Sequence, residues 1–364
     1  MEFGLNFFPE VGPDEKSAED YWSEALYLTS LCDDLGYGHV RTVEHYFHRY
    51  GGYSPNPLLY LAAASQRTRK ARLYTGAILP IFNNPLKVAA EIAEVDALSG
   101  GRLEVGFARA FLPHEFRRMS RSLDESRARF DEGLAMVTRL LEEEHVSMKG
   151  EFHSFEDVTS LPRPVQKPRP RFWIAASSTD ESFVNAGRLG HGLMTFPREA
   201  EQLRHWIKLY RNSRREAGHP GEGAVMIAFH MYCAPTDRQA VAEARDPINA
   251  YMRSLLEASS DWVGGSSKDY PHHPKMVENL KKVNFEKLVA GGGAWVGSPE
   301  RIREQISKFD DAVGGFEIAS LQVNSHTIPV ASAEASMRLF ADEVMPHFAG
   351  ARGARSRDKV EQRA

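Results

Sequence analysis

Glu44, His45 and His48 share one short run, Thr-Val-Glu-His-Tyr-Phe-His-Arg-Tyr-Gly-Gly, at residues 42–52. An acid beside a histidine can hold an imidazole in one tautomer or help it move a proton. A connecting loop needs only turn residues, so this combination reads as a site. More such groups fall at the ends of short apolar runs: Gly76-Ala77, Ala108-Arg109 and Ala176-Ser177-Ser178-Thr179. Ser178 and Thr179 open a helical pattern whose free N–H groups and dipole attract an anion. Arg109 can add a forked, charge-assisted contact. Arg127 opens another helical pattern, where a cation is unfavourable unless an anion sits close. Together these residues suggest a phosphorylated cofactor, its reactive end toward His45 and Gly76-Ala77. Each also has a plainer reading: His45 as a satisfied core histidine, Ser177 to Thr179 as a helix cap, Arg109 as a surface ion pair.

The elements that must position these groups alternate. Strands are expected at Phe3 to Phe8, His39 to Val43, Leu73 to Leu79, Leu103 to Ala108, Phe172 to Ala176, Gly192 to Thr195, Val225 to Cys233 and Ala319 to Val323. Between them fall helical patterns. One is capped by Ser17, buries Tyr21, Ala25, Leu28, Cys32 and Leu35, and stops at Gly36. Others run over Pro57 to Arg67, Pro85 to Leu98 and Thr179 to Leu189, around Phe130 to Leu141 and Leu203 to Tyr210, and from about Ser332. Leu35-Gly36-Tyr37-Gly38 and Leu189-Gly190-His191-Gly192 repeat one glycine-capped helix-to-strand junction. Strict alternation with eight strands favours a closed (β/α)₈ barrel, an α/β fold whose catalytic residues lie at the strand C-termini. The phosphate groups here follow strands 4 and 5, a departure from the usual place after strands 7 and 8. No Gly-x-Gly-x-x-Gly follows the first strand, which argues against a doubly wound dinucleotide fold. Residues 145 to 170 read as an extended crossing. Residues 257 to 298 are too long and irregular for an ordinary connection and read as a lid insertion. The expectation is one barrel domain over 1–349 and a basic, unstructured tail over 350–364.

Composition narrows the class. Hydrophobic content of 42% and charged content of 26% suit a soluble globular protein, and a net charge of −4 gives no reason to expect nucleic acid. The opening MEFGLNFFPE lacks a basic n-region and an apolar h-region, and no apolar run reaches the ~18 residues of a membrane span. Cys32 and Cys233 lie far apart, which suits a reducing cytoplasm.

Three ordered motifs carry a resemblance: Glu44-His45 with an aromatic and Gly51 following, TGAILPIFNNPLKVAAEIAEVDALSGGRLEVGFARAF at 75–111, and LDESRARFDEG at 123–133. The chain resembles the bacterial luciferase-like flavin monooxygenases over nearly its whole length, most strongly from 38 to 133. The resemblance implies a (β/α)₈ barrel that binds reduced FMN (FMNH2) and reacts with O2 through a C4a-peroxyflavin to oxygenate a small organic substrate. It makes His45 the catalytic histidine beside the flavin ring, Arg109 and Arg127 phosphate ligands, and Ser177 and Ser178 part of the phosphate loop. Glu44, Gly76, Ala77, Ala108 and Ala176 then fall at cofactor-contacting positions, with a non-proline cis peptide at Gly76-Ala77. The insertion at 257–298 matches a mobile loop. A homodimer through helices near strands 2 and 3 is expected, as is a separate flavin reductase, since no dinucleotide fingerprint is present. Two departures stand out. Ala108 replaces the reactive cysteine of luciferase, which puts light emission in doubt, and Ala176 replaces a glutamate near the phosphate.

The chemistry asks for a closed apolar pocket, with Tyr46, Phe47, Phe107, Phe111 and Trp295 as wall candidates. A long-chain aldehyde, an aromatic polyketide or another small organic molecule would fit one. Rival readings are a deazaflavin-dependent oxidoreductase of the same superfamily, a non-catalytic flavin-binding protein, and a metal hydrolase built on His39, His45, His48, His272 and His273. No His-Glu-x-x-His run supports the last, and His272-His273 read as exposed lid residues.

Overall fold

A computed structural model describes residues 1–263, 265 and 267–349; the tail expected at 350–364 lies outside the described residues. Eleven described strands occur: β1 (Glu2–Phe7), β2 (His39–Thr42), β3 (Arg72–Ile78), β4 (Leu103–Phe107), β5 (Val146–Lys149), β6 (Ser154–Val158), β7 (Phe172–Ala175), β8 (Gly192–Thr195), β9 (Val225–Cys233), β10 (Ala294–Gly297) and β11 (Ile318–Gln322). The helices are α1 (Ala18–Ser30), α2 (Pro57–Ser65), α3 (Pro85–Leu98), α4 (Pro113–Arg118), α5 (Ser126–Glu142), α6 (Asp180–Arg188), α7 (Ala200–Glu216), α8 (Asp237–Ala258), α9 (His273–Leu280), α10 (Phe285–Ala290), α11 (Pro299–Val313) and α12 (Val330–Glu343). None of the described helices is long and apolar enough to cross a membrane.

Eight parallel strands close a barrel in the order β1-β2-β3-β4-β7-β8-β9-β11, with β11 returning to β1. Leu5 registers with Val40 on one side and Leu321 on the other, and Thr195 with Ile227 completes the ring. All eight are the strands expected from the sequence. Strict alternation decides this: each apolar strand needs a helix on its outer face. Phe7, Leu73, Phe107, Leu193 and Leu321 are buried in the shared core.

Local chemistry starts the helices. Ser17 accepts from the Asp20 N–H at 3.0 Å, and Asn56 and Asn84, each followed by proline, accept from Leu58 and Leu86 at 3.0 and 2.9 Å. The first helix ends at Ser30, earlier than its apolar spacing suggests; turns carry the chain on to Gly36 at φ 79°. Cys32 is buried beneath them with its Sγ 3.3 Å from the Tyr37 carbonyl, a core thiol.

Two expectations are corrected. The stretch expected as an extended crossing contains an antiparallel hairpin, β5 with β6. The insertion at 257–298 is structured rather than irregular: α9, α10 and β10 lie within it, and β10 pairs with the distal half of β9. Trp262, Tyr270 and Val277 are buried there against Leu79, Ile81, Ala110 and Phe116.

Candidate active site

The C-terminal ends of the barrel strands open into a cavity of about 340 Å³, within the roughly 300–1,000 Å³ range of small-molecule sites. His45, Glu44, Gly76, Ala77, Ala108, Arg109, Ala176 and Ser177 all line it. Residues expected at four separate strand ends therefore share one wall.

Directional bonds fix His45. Its Nδ1 lies 3.0 Å from Glu115 Oε1, which also accepts from the Tyr46 backbone N–H at 2.9 Å. An oxygen that already accepts from a backbone N–H acts as an acceptor here, so Nδ1 donates to it and Nε2 is the nitrogen left for a ligand. Phe8, Tyr50 and Phe111 surround the imidazole at ring separations of 5.6, 5.2 and 6.2 Å. Gly51 stands at φ 81°, and a Cβ there would come within 2.7 Å of the imidazole. Any side chain at that position would displace His45.

Glu44 touches the cavity, but the protein occupies its carboxylate. Tyr46 Oη donates at 2.6 Å, Asn83 Nδ2 at 2.7 Å and the Leu79 N–H at 3.1 Å. Burial pushes its carboxyl up to about 8, against those three donors, with Glu115 adding to the rise. Glu44 thus ties the β2 end to the β3 end. The Gly76–Ala77 peptide is cis. Arg41 Nη2 donates to the Gly76 carbonyl at 2.8 Å, and a Cβ at Gly76 would overlap the guanidinium. The Ala108 N–H donates to Ile78 O and the Ala176 N–H to Met194 O, both at 2.9 Å.

Arg109 shows what the phosphate end lacks. Its Nη1 is buried with no hydrogen-bond partner among the described residues. Its guanidinium sits 5.1 Å from the Tyr270 ring centroid, and Asp131 lies in the field of Arg127, Arg109 and Arg188. A buried donor left unmet is costly, so the position fits an oxyanion.

Two expected ligands lie outside the cavity wall. Arg127 Nη1 pairs with Glu181 Oε1 at 3.0 Å, because α6 carries its own acids, Asp180 and Glu181, in the first turn. Ser178, one residue beyond Ser177, is half-buried outside the lining. The wall candidates also sort out. Phe111 lines the cavity; Phe47 is 51% exposed, Phe107 is core, Trp295 stacks on Phe229 at 3.9 Å, and Tyr46 serves Glu44. His273 is buried rather than exposed, 4.9 Å from Trp262 and 4.8 Å from Tyr270, and burial pushes it down to about 4. His39 is held between Glu2 and Ser320, and no cluster of three metal-ligating side chains occurs among the described residues.

Sequence reasoning missed four groups. Glu115 lies on the short α4. Arg41 and His230 sit within strands and face the cavity; Arg198 lies on the turn after β8. His230 Nδ1 is 3.1 Å from Ser325 Oγ, and burial pushes the imidazole down to about 4. The signal for Arg41 and His230 was present: each is a polar side chain at an alternating, inward position of an apolar strand.

The profile of the luciferase-like monooxygenase family matches residues 1–314. The flavin-dependent trigonelline monooxygenase, oxygenase component, of Acinetobacter baylyi is 25% identical over 378 residues, spanning 100% of this chain and 98% of that protein. The crystal structure of monooxygenase RslO1 from Streptomyces bottropensis is 43% identical, with a TM-score of 0.86 over 96% of this chain and 100% of that one. The oxygenating constituent of 3,6-diketocamphane monooxygenase from Pseudomonas putida, solved with FMN, shares the fold at 20% identity and a TM-score of 0.81, over 95% and 98% of the two chains.

Proposed function

The chain belongs to the luciferase-like monooxygenase family, and from that premise we propose that it is the oxygenase of a two-component, FMNH2-dependent system. One observation carries the reading: Arg109, whose buried Nη1 is unmet among the described residues, lines the same cavity as His45. Arg109 and Ser177 would hold the FMN phosphate, with the free amides at the start of α6 adding their dipole. Arg127 would join them by exchanging Glu181, a half-exposed pair that is cheap to break. The small residues Gly76, Ala77, Ala108 and Ala176 leave a flat bed for a ring system, braced from behind by Glu44 and Arg41.

Reduced FMN, when bound, supplies the two electrons that activate O2, one oxygen atom passing to a small organic substrate and the other to water. The protein contributes position and dryness. Glu115 holds the proton on His45 Nδ1, leaving Nε2 to accept a hydrogen bond or a proton at the cavity. Phe8, Phe111, Leu255, Met276 and Leu280 keep the lining apolar, which protects a reactive oxygen species from stray protons. A separate reductase would supply FMNH2 in the cytoplasm. A homodimer through helices near β2 and β3 is part of this reading.

Anaerobic titration with FMNH2 and with a reduced deazaflavin, each followed by oxygen, tests the proposal. Saturable FMNH2 binding and oxygen uptake are expected. Tight deazaflavin binding with no oxygen uptake would put a deazaflavin oxidoreductase in its place.

A further inference from the structure

One cation in the cavity wall has no part in the phosphate end. Arg198 lies on the loop after β8, partly buried in the cavity lining, with its guanidinium 4.3 Å from the Phe196 ring centroid. No carboxylate forms an ion pair with it among the described residues; Tyr50 and His273 are its titratable neighbours, and burial pushes it down to about 10. The groups around it mark which end of the cavity it serves. Tyr50 packs 5.2 Å from His45 and 4.5 Å from Phe8, whereas Arg127, Arg109 and Arg188 are the cations that act most on Asp131. His273, in the insertion, feels both Arg109 and Arg198 and so stands between the two ends. Arg41, the other cation near the ring end, is committed to the barrel wall through Asn6 Oδ1 and Gly76 O, with only its Nε unmet, whereas no hydrogen bond to a protein group holds the Arg198 guanidinium among the described residues. A guanidinium that faces a largely apolar cavity without a counter-charge favours an anionic ligand there.

We propose that Arg198 is the counter-ion of an anionic aromatic substrate, a carboxylate or an ionised phenol, whose ring packs among Phe8, Tyr50 and Tyr251. This inference rests on the oxygenase reading and narrows its substrate class. Aromatic walls favour an aromatic body through offset and edge contacts. A guanidinium suits both acidic groups because it donates in a planar fork. With a phenol the charge also matters to reactivity: ionisation makes the ring carbons more electron-rich, which favours attack on an electrophilic oxygen.

The test compares 2-naphthoate, 2-naphthol and the neutral 2-naphthylmethanol by calorimetry, with and without FMN, on the wild-type protein, Arg198→Met and Arg198→Lys. The wild type should bind 2-naphthoate, or 2-naphthol above its pKa, ~10–100-fold more tightly than 2-naphthylmethanol. A preference for naphthoate at pH 7 assigns a carboxylate; a naphthol affinity that climbs with its ionisation assigns a phenolate. Arg198→Met should bring the anion down to the neutral probe while FMN and 2-naphthylmethanol bind as before, and Arg198→Lys should restore part of the preference. Equal binding of all three probes by the wild type would overturn the proposal. So would equal losses for charged and neutral probes in Arg198→Met, or a fall in FMN affinity, which would move Arg198 to the cofactor. If FMN fails to saturate the wild type, the oxygenase reading falls, and the probe preference of the FMN-free protein still decides the role of Arg198.

Discussion

Two loops meet over the cavity, and they differ in how much apolar contact supplements their directional bonds. The loop after β2 is fixed by directional bonds: Ser54 Oγ donates to Val43 O at 2.6 Å, the His45 N–H to Ser54 O at 3.1 Å, and Glu115 receives both His45 and Tyr46. The insertion after α8 adds a large apolar contact, through Trp262, Tyr270 and Val277, to its bonds with the body. Those bonds include Trp262 Nε1 to Phe111 O at 2.8 Å, Tyr270 Oη to Ala110 O, the Lys268 N–H to Asp124 at 2.9 Å, the Arg127 N–H to Asp269 at 3.0 Å and the pairing of β10 with β9. A hydrogen-bond network has one good geometry, whereas apolar contact is non-directional and tolerates sliding. The first loop is suited to hold an imidazole still, and the second supplies apolar wall to the cavity through Met276 and Leu280.

That contrast yields separable mutants. The largest effect is expected from His45→Ala, a loss of ~10²–10⁴ in oxygenation rate with FMNH2 affinity kept within a few-fold. Parallel loss of both, measured by turnover and anaerobic titration, would make His45 a binding group. Next comes Arg109→Ala, with FMN weakened ~10–100-fold and riboflavin unchanged. Equal dissociation constants for FMN in the two proteins would remove the phosphate assignment. Tyr270→Phe deletes one hydrogen bond from the insertion at little cost in volume. It should raise peroxide release per oxygen consumed about fivefold while leaving FMN affinity alone. If it instead matched His45→Ala in rate, the two loops would not be functionally distinct.

The smallest effect is in pH dependence. The folded pKa of His273, about 4, lies below its ordinary 6.5, so the folded state binds fewer protons than the unfolded chain between those values. Its contribution to stability is present above about 6.5 and is lost as pH falls toward about 4. His273→Phe should therefore shrink the drop in Tm between pH 7 and pH 5 by a few degrees. An unchanged drop would mean that the insertion does not sense acid through this residue.

What could be read from the sequence follows the same division. The eight barrel strands were visible because glycine caps, Asn-Pro starts and alternation act locally, at residues such as Gly36, Asn84 and Gly190. His45, Arg109 and Ser177 were visible because a barrel collects strand ends at one mouth. Glu115 was not: α4 spans six residues, too few for a periodic pattern. For Arg127 the helix-dipole argument left out Glu181, the acid on α6 with which it pairs at 3.0 Å. The insertion read as irregular because Trp262, Tyr270 and His273 follow no single period; they converge only through contacts with Phe111, Ala110 and Phe116. The β5–β6 hairpin was hidden in a polar stretch with little of its surface buried.

Crystals of the protein grown with FMN test the central claim most directly. The account places the phosphate within hydrogen-bond distance of Arg109 Nη1 and Ser177, and the isoalloxazine against Gly76-Ala77 beside His45 Nε2. A phosphate bound elsewhere, with Arg109 Nη1 still unmet, would contradict it.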